Sequence, residues 1–409
     1  MCATTAKKTS ILLNPFALYM IMIVLGILSG LSGISYLQNF GSLISDIFIK
    51  IFKCISLPII ALSIIVTLSS HIADQNMGKI WKKTIRFTIG TTIIAAAISC
   101  IIYLLIHPSN VISNIADNAT YNGNVTNKTS YLQHLLGLFP STIFSPFIEH
   151  QVIGVLIVGI LFGIAIRYIP DQSARESVTR FFKGIHGIFI VITKWVVAIL
   201  PIALYGFITT MVVELRGGLN IGGIGEYLAV VVLANVVQGL VILPLWLKFN
   251  GISPLATARG MSPALSLAFL SKSSAGTLPV TINAAETRLN INPRISRFVL
   301  PLCTTINMNG CATFIFATVI YLMQNNGMEI SLLTMASWII IATIAAIGNA
   351  GVPMGCFFLS ISLLSSMNVP ITLMGIILPF YAIIDMLETS LNVWSDSCVA
   401  TVVNKQVPM

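Results

Sequence analysis

Long apolar runs alternate with short polar stretches along this chain, and their lengths predict helices that cross a membrane. Phe16–Tyr36 and Phe87–Ile106 both reach the roughly 20 residues that a hydrocarbon core requires. The polar stub Cys2–Ser10 reads as a cytoplasmic tail, since the run behind it is too long for a cleaved leader. Pro140, Pro146 and Glu149–Gln151 interrupt the fourth span and predict that it is broken. The pattern changes in the last third. Between Arg259 and Arg288, Ser271-Lys-Ser-Ser-Ala-Gly-Thr277 cuts an apolar stretch into arms of about 11 residues, too short to cross ~30 Å at 1.5 Å per residue. A single crossing here would also carry Arg288, Arg294 and Arg297 outside. The segment therefore reads as a re-entrant helical hairpin open to the cytoplasm. Leu332–Ile347, Gly348-Asn-Ala-Gly-Val-Pro-Met-Gly355 and Cys356–Ser366 predict a second hairpin, entering from outside. A long span with a polar centre follows each one. Two such units of opposite orientation form the inverted repeat of a secondary transporter.

Composition and charge narrow the class further. Charged residues make up 9% of the 409 positions and hydrophobic residues 56%, whereas soluble proteins carry about 25% charged residues. The formal charge of +9 sits in loops, where it reports topology and offers no nucleic-acid surface. Lys7 and Lys8, then Lys79, Lys82, Lys83 and Arg86, then Arg167, Arg175, Arg180 and Lys183, then Lys248 and Arg259 mark alternate loops as cytoplasmic. The loops between them are poor in bases. The N-terminus is thus expected inside, with six crossings complete by residue 248. Sequons at Asn118, Asn124 and Asn127 mark a polar outer loop. The seven cysteines show no C-x-x-C spacing, so neither a disulfide framework nor a zinc site follows, and the five histidines propose no ligand set.

Candidate chemistry concentrates in Tyr381-Ala-Ile-Ile-Asp385-Met-Leu-Glu388-Thr-Ser-Leu-Asn392-Val-Trp-Ser-Asp396. At 100° per residue, positions 385, 388, 392 and 396 share one helical stripe. A charge at bilayer depth costs about 2.5–3.5 kcal/mol, so three carboxylates in one stripe face something other than lipid. The segment holds no base to pair with them, which points to a site for cations and a cationic group. The break at Ile306-Asn-Met-Asn-Gly310 frees carbonyl oxygens suited to Na⁺. A hairpin tip presents helix N-terminal N–H groups suited to a carboxylate, with Ser273 and Ser274 as added donors. Bland readings stand beside these: Gly351-x-x-x-Gly355 is also a helix-packing spacing. Lys272 beside Ser273 resembles a Ser–Lys hydrolase pair, but the chain shows no oxyanion-hole motif, and an enzyme is not expected.

Four segments in order, Ser273-Ser-Ala-Gly-Thr-Leu-Pro-Val-Thr281, Leu300-Pro-Leu-Cys-Thr-Thr-Ile-Asn-Met-Asn-Gly310, Gly348-Asn-Ala-Gly-Val-Pro353 and Asp385…Asn392…Asp396, resemble the glutamate-transporter family of dicarboxylate/amino acid:cation symporters. The match covers about residues 255–405. The resemblance implies an all-α polytopic membrane protein of eight spans plus two re-entrant hairpins, a homotrimer in a bacterial inner membrane with both termini cytoplasmic. It implies a cytoplasmic tail (1–15), spans 1–6 (16–250) and a transport core (251–409). Spans 3 and 6 would join that core in an elevator that slides against a scaffold of spans 1, 2, 4 and 5.

Carried over by position, Asp385 holds the substrate ammonium, while Asn392, Ser273 and Ser274 hold its α-carboxylate. Ala350, Gly351, Val352, Cys311, Glu388 and Thr389 complete the substrate site. One Na⁺ site uses Asp396 with carbonyls of Cys303, Asn307 and Asn392. A second uses Thr305 and Met308 with carbonyls around Ala346, Ile347 and Asn349. Two departures matter. Members that carry acidic amino acids have an Arg where this chain has Glu388, and a Glu would repel a second carboxylate; the local spelling looks like the bacterial serine/threonine:sodium symporter branch. The family's Asn-Met-Asp-Gly reads Asn307-Met-Asn309-Gly here, which puts a third Na⁺ site in doubt. Lys272 against Asp385, Glu388 and Asp396 leaves an empty site at −2, which a zwitterion with one or two Na⁺ brings to −1 or 0. The expected substrate is a small neutral amino acid such as serine or threonine. An acidic amino acid or C4-dicarboxylate, a cationic amino acid, a proton-coupled variant and an ion channel are the alternatives.

Overall fold

The computed structural model describes residues 15–69, 78–111, 140–148, 152–216, 222–348, 354–367 and 369–407. Every regular element among them is helical, as the apolar runs require when backbone groups have no water to bond. The first half holds α1 (Pro15–Leu31), α2 (Ser35–Ser69), α3 (Gly78–Ile106), α4 (Val152–Arg167), α5 (Gln172–Ala198) and α6 (Leu200–Arg216). Then come α7 (Gly222–Val237), one π-helical turn (Gln238–Ile242) and α8 (Leu243–Phe249). The last third holds α9 (Pro254–Ser271), α10 (Ser274–Arg288), α11 (Pro293–Ile306), α12 (Asn309–Asn325), α13 (Leu332–Gly348), α14 (Gly355–Ser366) and α15 (Thr372–Gln406). Among the described residues, four helical stretches are long and apolar enough to cross a membrane: Gly78–Ile106, Gly223–Phe249, Pro293–Asn325 and Leu373–Gln406. A fifth forms if Gln172–Val196 and Leu200–Val213, which meet at 53°, count as one broken span.

Packing groups the helices. α1, α4, α5 and α6 gather around α2, while α3, α7 and α9–α12 pack with α15. The seams of α6 with α1 and α2 depend on small residues: a Cβ at Gly30 of α1 would stand 2.6 Å from Val212 Cβ, and one at Gly206 would stand 2.6 Å from the Gly41 carbonyl oxygen of α2. Side chains there would force the helices apart, and close backbone approach is how helices associate without a hydrophobic drive. α13 and α14 bridge the groups by touching α2 and α4, and α15 touches α6. The largest apolar cluster runs through this junction, with Phe314, Phe316, Phe357 and Tyr381 all buried.

Several boundaries differ from the hydropathy reading. Phe16–Tyr36 is not one helix: α1 stops at Leu31, Gly33 adopts φ 70°, and Ser32 Oγ caps the Ile34 N–H at 3.2 Å. The first hairpin's break is shorter than the seven-residue cut. Only Lys272 and Ser273 lie outside helix, because Lys272 takes the left-handed C-cap conformation (φ 54°) and Ser273 Oγ accepts from Gly276 N at 3.0 Å. Its arms are therefore 18 and 15 residues long. The fourth-span interruption at 149–151, the second hairpin's tip at 349–353 and the three sequons lie outside the described residues.

Candidate functional site

α15 is an unbroken helix of 35 residues that carries the acidic stripe. Asp385, Glu388, Asn392 and Asp396 are all buried, Glu388 and Asp396 at 1% exposure. Facing them, α11 ends at Ile306, and Asn307 and Met308 leave helical geometry (ψ 73° and 64°) before α12 begins. The opening turns the first N–H groups of α12 toward α15, where Gly310 N donates to Asn392 Oδ1 at 2.8 Å. Glycine is required there: a Cβ would fall 2.6 Å from the Glu388 Cα.

Around Asp396 the partners are neutral amides and hydroxyls. Asn307 Nδ2 donates to Asp396 Oδ1 and to Ser395 Oγ, both at 2.9 Å, and Thr304 Oγ1 approaches Asp396 Oδ2 at 3.4 Å. Asn307 Oδ1 accepts from Thr91 Oγ1 (3.1 Å) and from Asn309 Nδ2 (2.9 Å). Asn309 Oδ1 in turn accepts from Gln238 Nε2 at 2.8 Å. Gln238 opens the π-helical turn, whose Gly239 carbonyl accepts from Trp394 Nε1 at 3.0 Å. π-turns of this kind recur at functional positions. The result is a single carboxylate held by an amide N–H and a hydroxyl, with oxygens of Asn307, Ser395 and Thr91 in the same network, hard groups that suit a monovalent cation better than a soft metal. The Cys303 carbonyl accepts the Asn307 N–H at 2.8 Å, and Thr305 Oγ1 donates to the Leu302 carbonyl at 2.7 Å. Met308 and Ala346 are buried in the same apolar cluster, and Ile347 is half-buried.

The second centre lies further toward the start of α15. Tyr381 Oη donates to Glu388 Oε2 at 3.3 Å, held between the rings of Phe314 (4.7 Å) and Phe357 (5.2 Å). Glu388 Oε1 is buried and has no hydrogen-bond partner among the described residues. Such an orphaned acceptor costs about 1–3 kcal/mol until a donor arrives. Lys272, exposed at the α9–α10 tip, lies within electrostatic reach of Asp385. Cys311 and Cys356 are joined as a disulfide beside Glu388. This corrects the reading that no disulfide follows from the cysteines. The pair is 45 residues apart and meets only because α12 packs on α14, which no local spacing signals.

The structure thus brings Glu388, Asn392 and Asp396 to the Asn307–Cys311 break, with Asp385 and Thr389 buried on the same helix. Asn392 is more occupied than expected, since its Nδ2 also approaches Met308 Sδ (3.5 Å) and Cys311 Sγ (3.6 Å). Ser273 is held by its own helix through Gly276, and Ser274 is half-buried beside it. Asn349, Ala350, Gly351 and Val352 lie outside the described residues. Tyr381, Gln238, Thr91, Ser395 and Cys356 were not among the expected site residues. Tyr381 alone had a usable signal, one turn before Asp385 on the same stripe.

Buried carboxylates on an intact helix, set against a helix opened at mid-length in a multi-pass membrane protein, define a solute carrier and not an enzyme. The chain belongs to the sodium:dicarboxylate symporter family, whose profile matches residues 16–406. It is similar to the neutral amino acid transporter B(0) of Oryctolagus cuniculus, 24% identical over 386 residues that cover 86% of this chain and 71% of the relative. The Homo sapiens protein of the same name is 24% identical over 396 residues, 88% of this chain and 73% of the relative. Excitatory amino acid transporter 3 of Mus musculus is 26% identical over 450 aligned positions, 97% of this chain and 85% of the relative.

Proposed function

We propose that this protein is a sodium-coupled symporter of small neutral amino acids, serine or threonine in particular. The observation that carries the reading is Glu388: a buried carboxylate whose Oε1 has no partner, one turn from the carboxylate assigned to the substrate ammonium. A hydroxyl-bearing side chain would supply the missing donor, whereas a second substrate carboxylate would be repelled. Asp385 takes the ammonium. Asn392, with Ser273 and Ser274 at the hairpin tip, takes the α-carboxylate, and Thr389, Cys311 and the 350–352 segment complete the enclosure. Sodium occupies the site at Asp396, and a second ion sits by Thr305 and Met308 when the outer hairpin closes. Asn309, satisfied by Gln238 and Asn307, stands where a third ion would need a charge.

The architecture we assign is eight spans with two re-entrant hairpins, α9–α10 and α13–α14, with both termini cytoplasmic. The grouping around α2 fits a trimeric scaffold of spans 1, 2, 4 and 5, against which the remainder slides as an elevator. Apolar side chains exposed on α1 and α2, including Val24, Leu28, Phe40 and Leu43, suit burial in lipid or against neighbouring copies. The nearness of Lys272 to Asp385 favours one second reading, in which Lys272 receives the distal carboxylate of an acidic substrate. Uptake into proteoliposomes under an imposed Na⁺ or H⁺ gradient, with labelled serine competed by the amino acids and C4-dicarboxylates, decides between them. Uptake that ignores the Na⁺ gradient, or that aspartate competes better than serine does, refutes the first reading.

A further inference from the structure

The cluster at the side-chain end of the pocket is unusual for a site that handles hard cations and zwitterions. Cys311 lies in the first turn of α12, Cys356 in the first turn of α14, and Glu388 in the middle of α15. All three are buried, and one ligand atom from each lies within 4.8 Å of the others. In the structure the two sulfurs are joined. We propose that, once reduced, Cys311, Cys356 and Glu388 form a binding site for a thiophilic divalent cation of the zinc or cadmium kind, in the place assigned above to the substrate side chain. The inference rests on that assignment for its overlap with substrate, but the metal site itself does not.

Geometry, softness and charge agree. A tetrahedral ion with sulfur at ~2.3 Å and oxygen at ~2.1 Å needs ligand atoms roughly 3.5–3.8 Å apart; with all three atoms within 4.8 Å of one another, reduction has to let the joined sulfurs separate to that spacing, a shift of the order that side-chain rotation provides. Three protein ligands leave a fourth position for water, the form of an open zinc site. Thiolates select such ions over Na⁺ or Mg²⁺. Glu388 Oε1 is a second sign, a buried acceptor to which none of the described residues donates. Binding one divalent ion while both thiols release their protons leaves the cluster at −1, the charge Glu388 alone carries. No extra charge is therefore buried, which removes the usual obstacle to a metal at this depth.

Reduction opens the site chemically. A water-soluble phosphine cleaves the S–S bond, phosphorus is oxidised to the phosphine oxide, and water supplies its oxygen and the two thiol protons. Oxidation by a small-molecule disulfide reverses the state through a mixed disulfide, releasing two small thiols as Cys311 and Cys356 join. The oxidised pair offers no thiolate and also ties α14 to α12.

The test uses the full chain in detergent and titrates Cd²⁺ while following the ultraviolet cadmium–thiolate band. Reduced wild type should bind one Cd²⁺ per chain with that band, and the oxidised protein should lose it, a comparison that needs no substitution. Cys311→Ser and Cys356→Ser should each lose the band, Glu388→Gln should weaken binding, and Cys54→Ser, at an exposed cysteine, should leave it unchanged. Saturating serine should move the titration to higher Cd²⁺. A band that survives both Cys311→Ser and Cys356→Ser, or is equal in oxidised protein, overturns the site. Cysteine-dependent binding in a protein that takes up no serine keeps the site and removes the substrate assignment. Serine uptake without such a band does the reverse.

Discussion

Replacing Glu388 by methionine isolates the interaction on which substrate choice is argued to depend. The two side chains are similar in volume, and the site is closed, with Glu388 at 1% exposure, so the methionine fills the same space. Two things change. Tyr381 Oη loses its acceptor at 3.3 Å, and Oε1, the atom without a partner, disappears. The first loss weakens the pocket for every substrate alike. The second falls only on substrates whose side chain donates to Oε1. Hydrogen bonds to a charged acceptor contribute about 1.5–3 kcal/mol, so serine should lose roughly 10- to 150-fold in apparent affinity relative to alanine. The serine-to-alanine ratio cancels the shared Tyr381 term, as the second leg of a mutant cycle does. The assay is concentration-dependent uptake of both labelled amino acids into proteoliposomes under an inward sodium gradient, wild type against variant. Alanine should lose only the shared Tyr381 contribution. Equal losses for serine and alanine would refute the reasoning and leave Glu388 a structural partner of Tyr381.

Three further outcomes follow from the same geometry. Asp396→Asn should leave a folded protein that has lost most of its sodium activation, read as the Na⁺ dependence of substrate-induced fluorescence changes; an unmoved sodium curve removes Asp396 from the cation site. Gly310→Ala places a methyl 2.6 Å from the Glu388 backbone, and overpacking of this kind costs about 1–3 kcal/mol, so thermal unfolding should begin several degrees lower and uptake should fall. A variant as stable and active as wild type would mean that the α12–α15 contact is looser than described. Glu388→Arg exchanges repulsion for a bidentate donor and should shift competition from serine toward aspartate by roughly 5- to 150-fold, from 1–3 kcal/mol; serine preference that persists would place residue 388 away from the substrate side chain.

Hydropathy and charge exposed much of this molecule because lipid imposes blunt rules. A carboxylate amid apolar residues must face inward, and Asp385, Glu388 and Asp396 do. Asn307-Met308 reads as a break in the sequence and is one in the structure. What hydropathy could not resolve was capping: Ser273 and Lys272 rescue helix on both sides of a polar cut, so the first hairpin's arms are longer than hydropathy suggests. Gln238 was invisible for another reason. It is one polar residue in an apolar run, and only the π-turn that rotates it onto Asn309 gives it a role. Cys311 and Cys356 meet through tertiary packing alone, and no spacing rule reaches across 45 residues.

The unbroken course of α15 sets a fixed length between its carboxylates. Asp385 and Asp396 are eleven residues apart on one face, which at 1.5 Å per residue is about 16 Å. Across that gap, at an effective dielectric near 20, a sodium ion and an ammonium group held at the proposed sites would repel by only about 1 kcal/mol, roughly a fivefold effect. Their direct field is therefore too weak to couple one solute tightly to the other. Any stronger linkage has to be mechanical. Asn392 stands between the two ends, gripping the Gly310 N–H and lying against the sulfurs of Met308 and Cys311. On the proposed assignments, an ion that pulled on Asn307 would shift the start of α12 through that grip, and the pocket floor beneath the amino acid would move with it.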